Sequence, residues 1–481
     1  MGWWLKQHIH SSWGIALACA TFVTGVAVSL WVSMPLFLGL ISLPVLVIIL
    51  CLRSRFVLIF VGFVAMVLGL SYGSLHLRGR EKYESFFGKD VLLSGRIKED
   101  ASQGSSGGVS VQLDTVLIDG VTLPGSVLAT GRTVHQALRG DTLEIHGRLR
   151  EGFGSFAASI TITKISAITR QPRGDMGRVV RDWFADMVRK VIPEPQASLG
   201  VGFLTGQKSA LPTELADSLK IAGLTHIVVA SGYNLTILVR LARKLLLKVS
   251  KFLSVVSSGM MVAAFVMVTG LSPSMTRAGL VSSMSLFSWY YGHAFHPFVL
   301  LPLAAAITVA LQPSYVWGDL GWQLSFSAFA GVMIVAPLLQ TYFFGNKEPG
   351  MFRQILGETI AAHIVTVPIL ALSFGTMSNV AIVANILVVP LVPLAMLLTF
   401  LCGVGVIVSV PFIQFLATPT TWLLGYMTNV ASFVAEIPWA QSQLSAKPIV
   451  WVAYGIAVAI MCYWMWRKTK YSFRKGEALL C

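Results

Sequence analysis

The sequence predicts a polytopic α-helical membrane protein of about twelve spans with one inserted extracytoplasmic all-β domain. Three observations carry that reading. Mean hydropathy is +0.73, with 55% of the 481 residues hydrophobic and only 12% charged. Apolar runs long enough to cross a bilayer recur in the first and last parts of the chain. Between them, residues 76–175 lose that character and break into short alternating runs divided by turn signals.

Three spans open the chain, at roughly 12–31, 34–52 and 56–75, and define a first domain over 1–75. The first is not a removable signal peptide, because two more spans follow at once and no small-residue cleavage site interrupts them. Arg53 and Arg55 lie between the second and third spans. Placing that loop in the cytoplasm places Lys6 and the N-terminus there too, so the third span exits and residues 76–175 lie outside. In that segment DVLLSGRI, GVSVQLDTVLI, GSVLAT, DTLEIHGRLR and SITITKISAI alternate like strands, and GSSGG, IDG, LPG, RGD and GFGS punctuate them. Five or so short strands fit a small barrel of the oligonucleotide/oligosaccharide-binding (OB) type, and a β-sandwich fits the pattern nearly as well. The run MGRVVRDWFADMVRKV has apolar residues at helical spacing with charges opposite, so 176–196 reads as an amphipathic helix on the outer membrane surface.

Further hydrophobic segments follow at roughly 198–206, 222–242, 254–271, 277–292, 297–312, 319–341, 354–373, 379–409, 412–435 and 448–466. The first is too short to span. The segment 379–409 carries Pro390 and Pro393, which kink or divide it. Arg240, Arg243, Lys244, Lys248 and Lys251 then fall inside, as do Lys347, Arg353 and the basic tail 467–481 with Arg467, Lys468, Lys470, Arg474 and Lys475. Both termini are therefore expected in the cytoplasm.

The net charge is +15, yet residues 76–175 hold 13 Lys and Arg against 11 Asp and Glu, so the excess belongs mainly to the membrane part. The positive-inside rule accounts for most of it; a polyanionic substrate is the sharper explanation. Cys19, Cys51, Cys402, Cys462 and Cys481 form no CxxC and offer neither a disulfide framework nor a zinc-ligand set. No phosphate-binding GxxxxGK[ST] occurs, since Tyr83 stands where the first glycine before Gly88-Lys89 would be. His293 and His296 read as an interfacial turn rather than a metal site. No catalytic residue, metal or cofactor is expected.

Four phrases place polar groups inside apolar surroundings, where they are costly unless paired or lining a wet path. The first, at 223–239, carries His226, Ser231, Gly232, Tyr233 and Asn234. The second is SPSMTRAG, with Arg277 one turn into a span and either snorkelling or facing a polar path. The third is GDLGWQLSFSAFAG, with Asp319, Gln323, Ser325 and Ser327. The fourth is FGTMSNVAIVANILVVP, with Asn379 and Asn385 ahead of the two prolines. For any single residue, a structural contact between helices competes evenly with a functional role.

In this order, AGLTHIVVASGYN, SPSMTRAG, GDLGWQLSFSAFAG and FGTMSNVAIVANILVVP resemble the competence transmembrane domain of the ComEC family, with GFLTGQKSALPTEL at 202–215 similar to the phrase that precedes them. The resemblance covers about 197–410 closely; the leading spans and the β-domain match in kind only. It implies an inner-membrane channel conducting single-stranded DNA into the cytoplasm in natural transformation, with 197–466 as the channel domain. His226, Ser231, Gly232, Tyr233, Asn234, Arg277, Asp319, Gln323, Ser325, Asn379 and Asn385 are then the path residues. Arg96, Arg132, Arg148, Phe153 and Phe156 are the β-domain candidates for strand contact. The implied partners are single-stranded DNA, membrane lipids, an outer DNA receptor, and an inner helicase-like motor or single-strand-binding protein; a homodimer is compatible with a channel. The chain lacks the HxHxDH cluster of the metallo-β-lactamase-like domain that many relatives carry, so a short form and a separate nuclease are expected. It departs from the family at Tyr233-Asn234-Leu235 and has no cysteine pair in its β-domain. Two alternatives stay open: a transporter of another anionic or lipid-linked substrate, and an intramembrane enzyme using His226 or Glu358 with His363.

Overall fold

The computed structural model describes residues 11–51, 57–103, 108–131, 137–170, 175–207, 211–228, 232–270, 272–292, 296–345, 349–444 and 447–471. The chain divides into two compact units, residues 1–174 with 294–322 and residues 175–293 with 323–481.

The first unit opens with helices α1 (Ser11–Val28), α2 (Leu36–Cys51) and α3 (Val57–Glu81). Glycines bring α1 and α3 together. A Cβ on Gly69 would lie 2.2 Å from Phe22 O, and one on Gly25 would lie 2.3 Å from Met66 O. Small residues are what let apolar helices meet backbone to backbone. The third helix continues past the expected end at residue 75 and reaches the β-domain.

That domain holds β1 (Asp90–Ile97), β2 (Ser102–Gln103), β3 (Val109–Ile118), β4 (Val121–Leu123), β5 (Val127–Gly131), β6 (Thr142–Glu151) and β7 (Ala158–Thr169). The circuit β1–β6–β7–β5–β3 closes back on β1. Its neighbours run antiparallel except β5 and β7, which are parallel. Alternation aims Leu93, Ile97, Leu113, Ile118, Leu143, Ile145, Leu149 and Ile160 into one fully buried core. The result is a small β-barrel.

The second unit begins with α4 (Met176–Arg189), α5 (Gln196–Thr205), α6 (Thr213–Ile221), α7 (Thr225–Val228), α8 (Gly232–Leu246), α9 (Lys251–Thr269) and α10 (Pro273–Tyr290). The chain returns to the first unit with α11 (Pro297–Leu311) and α12 (Ser314–Gly318). It continues through α13 (Leu320–Phe344), α14 (Met351–Phe374), β8 (Thr376–Ser378), α15 (Ala381–Val388), α16 (Val392–Ile407), α17 (Gln414–Ala435), β9 (Gln441–Gln443) and α18 (Pro448–Thr469).

Within the first unit, α11 and α12 are tied both to the helices and to the barrel. Trp322 Nε1 donates to Thr308 Oγ1 at 2.9 Å, Trp317 Nε1 to Val26 O at 2.9 Å, and Tyr72 Oη to Ala310 O at 2.6 Å. Lys98 Nζ, just past β1, donates to Gln312 Oε1 at 3.2 Å. Gly154, in the loop between β6 and β7, packs on Gly318, where an added Cβ would sit 1.8 Å from Gly154 C. Arg80 donates to Phe156 O in the same loop.

The core of the second unit is built on α5, buried from Ala197 to Thr205, with α6, α16 and α17 around it. Helix α4 shows the expected amphipathic pattern, but it buries a face as well. Ala185 and Val188 are fully buried, and Phe184 and Val188 close on Gly403 of α16, while Met176, Val179, Val180 and Trp183 are exposed. The proline segment is broken as read: α15 ends at Val388, a 3-10 turn spans Val389–Leu391, and α16 follows.

Among the described residues six helices are long and apolar enough to cross a membrane: Leu58–Phe86, Lys251–Thr269, Leu320–Phe344, Met351–Phe374, Ala381–Ile407 and Pro448–Thr469. The chain is a mostly helical membrane protein with a small β-barrel-like domain. One expected span differs. The segment 222–242 is not a single apolar rod, because α6 ends at Ile221, Gly223 takes a left-handed φ of 71°, and α7 starts afresh at Thr225. Asn234 Nδ2 donates to Ile227 O at 3.1 Å, whereas seven residues of one α-helix would separate these positions by about 10 Å along its axis. Asn234, one of the polar residues that mark this phrase, ties α8 back to α7.

Candidate functional site

Arg277 stands at the centre of one group of site residues. Pro273 starts α10 at its first helical position, where a missing N–H costs nothing, and this sets Arg277 one turn into the helix. The side chain is 9% exposed, and its Nε has no hydrogen-bond partner among the described residues. The guanidinium lies 5.6 Å from the ring centre of Phe326 and 5.5 Å from that of Phe329, both on α13. Three residues apart, the two rings share a helix face and clasp the cation. Gly232, the first residue of α8, closes another side; an added Cβ there would lie 3.2 Å from both Arg277 Nη2 and Ala278 Cβ. Ser274, one turn before Arg277, has its Oγ 3.4 Å from Ser325 Oγ. The first three polar phrases therefore contribute Gly232, Arg277 and Ser325 to one place.

Asn234 lies two residues further along α8 and is fully buried. Its Nδ2 donates to Phe203 O and Ile227 O, both at 3.1 Å. These carbonyls sit in the last turns of α5 and α7, where side-chain donors commonly satisfy them. One amide thus ties three helices, and the residue is a pin. Its neighbour Tyr233 is exposed and Gly232 is half-buried. Ser231 lies outside the described residues.

The fourth phrase meets the start of the first. Gly223 lies against Ala381 and Ser378, with an added Cβ only 2.6 Å from Ala381 Cβ. His226 is exposed, and its Nδ1 lies 3.0 Å from Gly223 O. Asn379 holds the β8–β9 pairing: its N donates to Ala440 O at 2.8 Å, and its Nδ2 to Trp439 O at 2.8 Å and Ser442 Oγ at 2.6 Å. Asn385 is buried, and its Oδ1 has no partner among the described residues. Gln323 is half-buried on α13.

Asp319 belongs to the first unit. Its Oδ1 accepts from Trp322 N at 2.7 Å, which makes it the N-cap of α13. Glu358, on α14, accepts from Gln354 Nε2 at 2.9 Å. His363 lies five residues on, about 140° around the helix, so the two do not share a face. Among the described residues no group of three His, Cys, Asp or Glu is placed to hold a metal. His293 lies outside them, so the structure describes only His296 of that pair.

In the barrel, Arg96 and Arg148 are exposed on β1 and β6, and Arg148 Nε donates to Gly88 O at 3.1 Å. Phe153 is exposed and Phe156 half-buried, their rings edge-on with centres 5.8 Å apart. Arg132 lies outside the described residues. Sequence reasoning did not single out Phe326 and Phe329, Ser274, or Gly223. The phenylalanines carry a faint signal, a repeat of three along the helix that also bears Gln323 and Ser325.

These helices fall within the stretch that a model of the competence protein family matches, residues 203–470. The chain belongs to that family, the ComEC-type competence proteins. The match begins at Phe203, whose carbonyl Asn234 holds, and covers more than half of the chain. No curated protein and no solved structure matches it. Members of the family are membrane proteins linked to DNA uptake.

Proposed function

We propose that this chain conducts a single DNA strand across the cytoplasmic membrane during natural transformation, as a conduit rather than a catalyst. The observation that carries the reading is the convergence on Arg277. Three phrases far apart in the chain meet around one buried arginine for which no carboxylate partner stands among the described residues. A strand crossing about 30 Å of hydrocarbon brings one negative charge per nucleotide, and a cation between aromatic walls suits phosphates and bases alike. Twelve crossings, formed by α1, α2, α3, α8, α9, α10, α11, α13, α14, α15 with α16, α17 and α18, would leave both termini in the cytoplasm and the barrel outside.

A closed circuit with one parallel pair is compatible with an OB-type barrel, and we take this as support for a strand-binding role. Its loop between β6 and β7 is taken up with Arg80 and Gly318, and β3 and β5 carry no Lys or Arg. The exposed cations Arg96, Arg148, Arg150 and Lys164 lie on β1, β6 and β7, so we assign the strand to that side. Asp90 and Glu144 share the face and temper its charge. Direction would come from a cytoplasmic motor or single-strand-binding protein, delivery from an outer receptor, and strand removal from a separate nuclease. We keep a homodimer as an arrangement to be tested.

The experiment is uptake of fluorescent DNA into a strain lacking this gene, with and without the gene restored. Loss of uptake and its recovery are expected. Uptake that persists without the gene would favour a transporter of another anion.

A further inference from the structure

Arg277 carries a charge that no described carboxylate balances. No carboxylate lies within ion-pair distance of it among the described residues, and its Nε is buried without a partner. Arg277 lies one turn from the N-terminus of an 18-residue helix, whose partial charge is positive and cannot offset its own. Two phenylalanine faces offset only a fraction of the desolvation cost of a buried cation. The protein also gathers what an anion needs. The Ser274 and Ser325 hydroxyls lie 3.4 Å apart, Ser274 one turn from Arg277 on the same helix face, and Gly232 leaves the Nη2 edge without a side chain over it.

We propose that Arg277, with Ser274 and Ser325, forms a binding site for one phosphate-type oxyanion. An inorganic phosphate or sulfate fills it in the resting protein, and a strand phosphodiester takes its place during passage. The second half rests on the conduit reading; the first does not. The guanidinium supplies two parallel N–H donors, the linked hydroxyl pair supplies a further one, and the rings exclude water, which strengthens each of these bonds. A resident anion also explains how a membrane helix keeps an arginine here before any DNA arrives.

The test uses the full chain purified in detergent, with thermal unfolding followed as sodium phosphate replaces sodium gluconate at constant ionic strength. The wild-type midpoint is expected to rise and then saturate. Arg277→Met is expected to show no rise, and Ser274→Ala with Ser325→Ala to need about tenfold more phosphate for half the effect. Should Arg277→Met not accumulate, Arg277→Lys keeps the charge without the planar fork and is expected to respond only at higher phosphate. A wild-type midpoint indifferent to phosphate overturns the site. So does a variant at Arg277 that responds as the wild type does. An oligothymidine that competes with phosphate supports the exchange. If phosphate binds and the oligonucleotide does not compete, the anion site stands and the exchange, with this part of the conduit reading, falls.

Discussion

Replacing Asn234 tests the pin on which the turned segment depends. Asn234→Leu keeps the branched heavy-atom skeleton, adds bulk, and removes both Nδ2 bonds to Phe203 O and Ile227 O. Side-chain hydrogen bonds between helices of a membrane protein are worth about 0.6 kcal/mol on average and at most about 1.7, so two bonds amount to about 1–3 kcal/mol. Asn234→Asp is the sharper change. It is isosteric, but an ionised carboxylate only accepts and would face two carbonyl oxygens; protonated, it donates once where the amide donates twice. Asn234→Asp should therefore lie below Asn234→Leu, although it is the more polar residue. The assay is the unfolding midpoint of the full chain in one detergent, read beside membrane level and DNA uptake in cells. A fall of a few degrees for Leu and a larger one for Asp is expected, with uptake falling in parallel as α7 and α8 lose their fixed relation. An Asn234→Asp protein as stable as wild type, or more stable than Asn234→Leu, would mean that Nδ2 holds neither carbonyl.

Three further changes test other contacts. Gly318→Val places a branched side chain where even a Cβ would meet Gly154 C at 1.8 Å, so the barrel loop must leave α12; at least about 1–3 kcal/mol of destabilisation is expected, with faster proteolysis of the loop at 152–157. Unchanged proteolysis would argue that the loop does not dock there. Thr308→Val removes the acceptor of the buried Trp322 Nε1 without changing the volume, and should cost about 1 kcal/mol with a change in tryptophan fluorescence. Replacing Arg148, Arg150 and Lys164 together by Ala should flatten the salt dependence of oligothymidine binding by about 0.7 per lost phosphate contact, hence by about 2 in slope. An unchanged slope would move the strand off β6 and β7.

Much of the architecture was legible because it depends on composition and period. Membrane helices must be long and apolar, and a barrel strand with one buried face must alternate; neither requirement depends on distant residues. The break at Pro390 and Pro393 was readable for a similar local reason, since proline removes a helical donor wherever it stands. The 222–242 segment was read as one span because Leu, Ile and Val dominate its average. The exceptions, Gly223 and Asn234, end one helix and pin the next. A window average dilutes two residues that act through backbone conformation and a single amide.

By itself, the sequence determined that this is a helical membrane protein with a β-rich insertion, and that four polar phrases in a recognisable order mark the competence family. It also identified Arg277 as a residue needing explanation, because a charge in apolar surroundings is costly anywhere along a chain. Only the tertiary structure decided what surrounds it. Phe326 and Phe329 on one helix, Gly232 at the start of another and Ser274 a turn away become neighbours through packing between segments remote in the chain. The structure likewise made Asn234 a pin and Asp319 a helix cap, where the sequence offered both as path residues. A residue's type fixes which interactions it needs; which neighbour supplies them is a property of the fold.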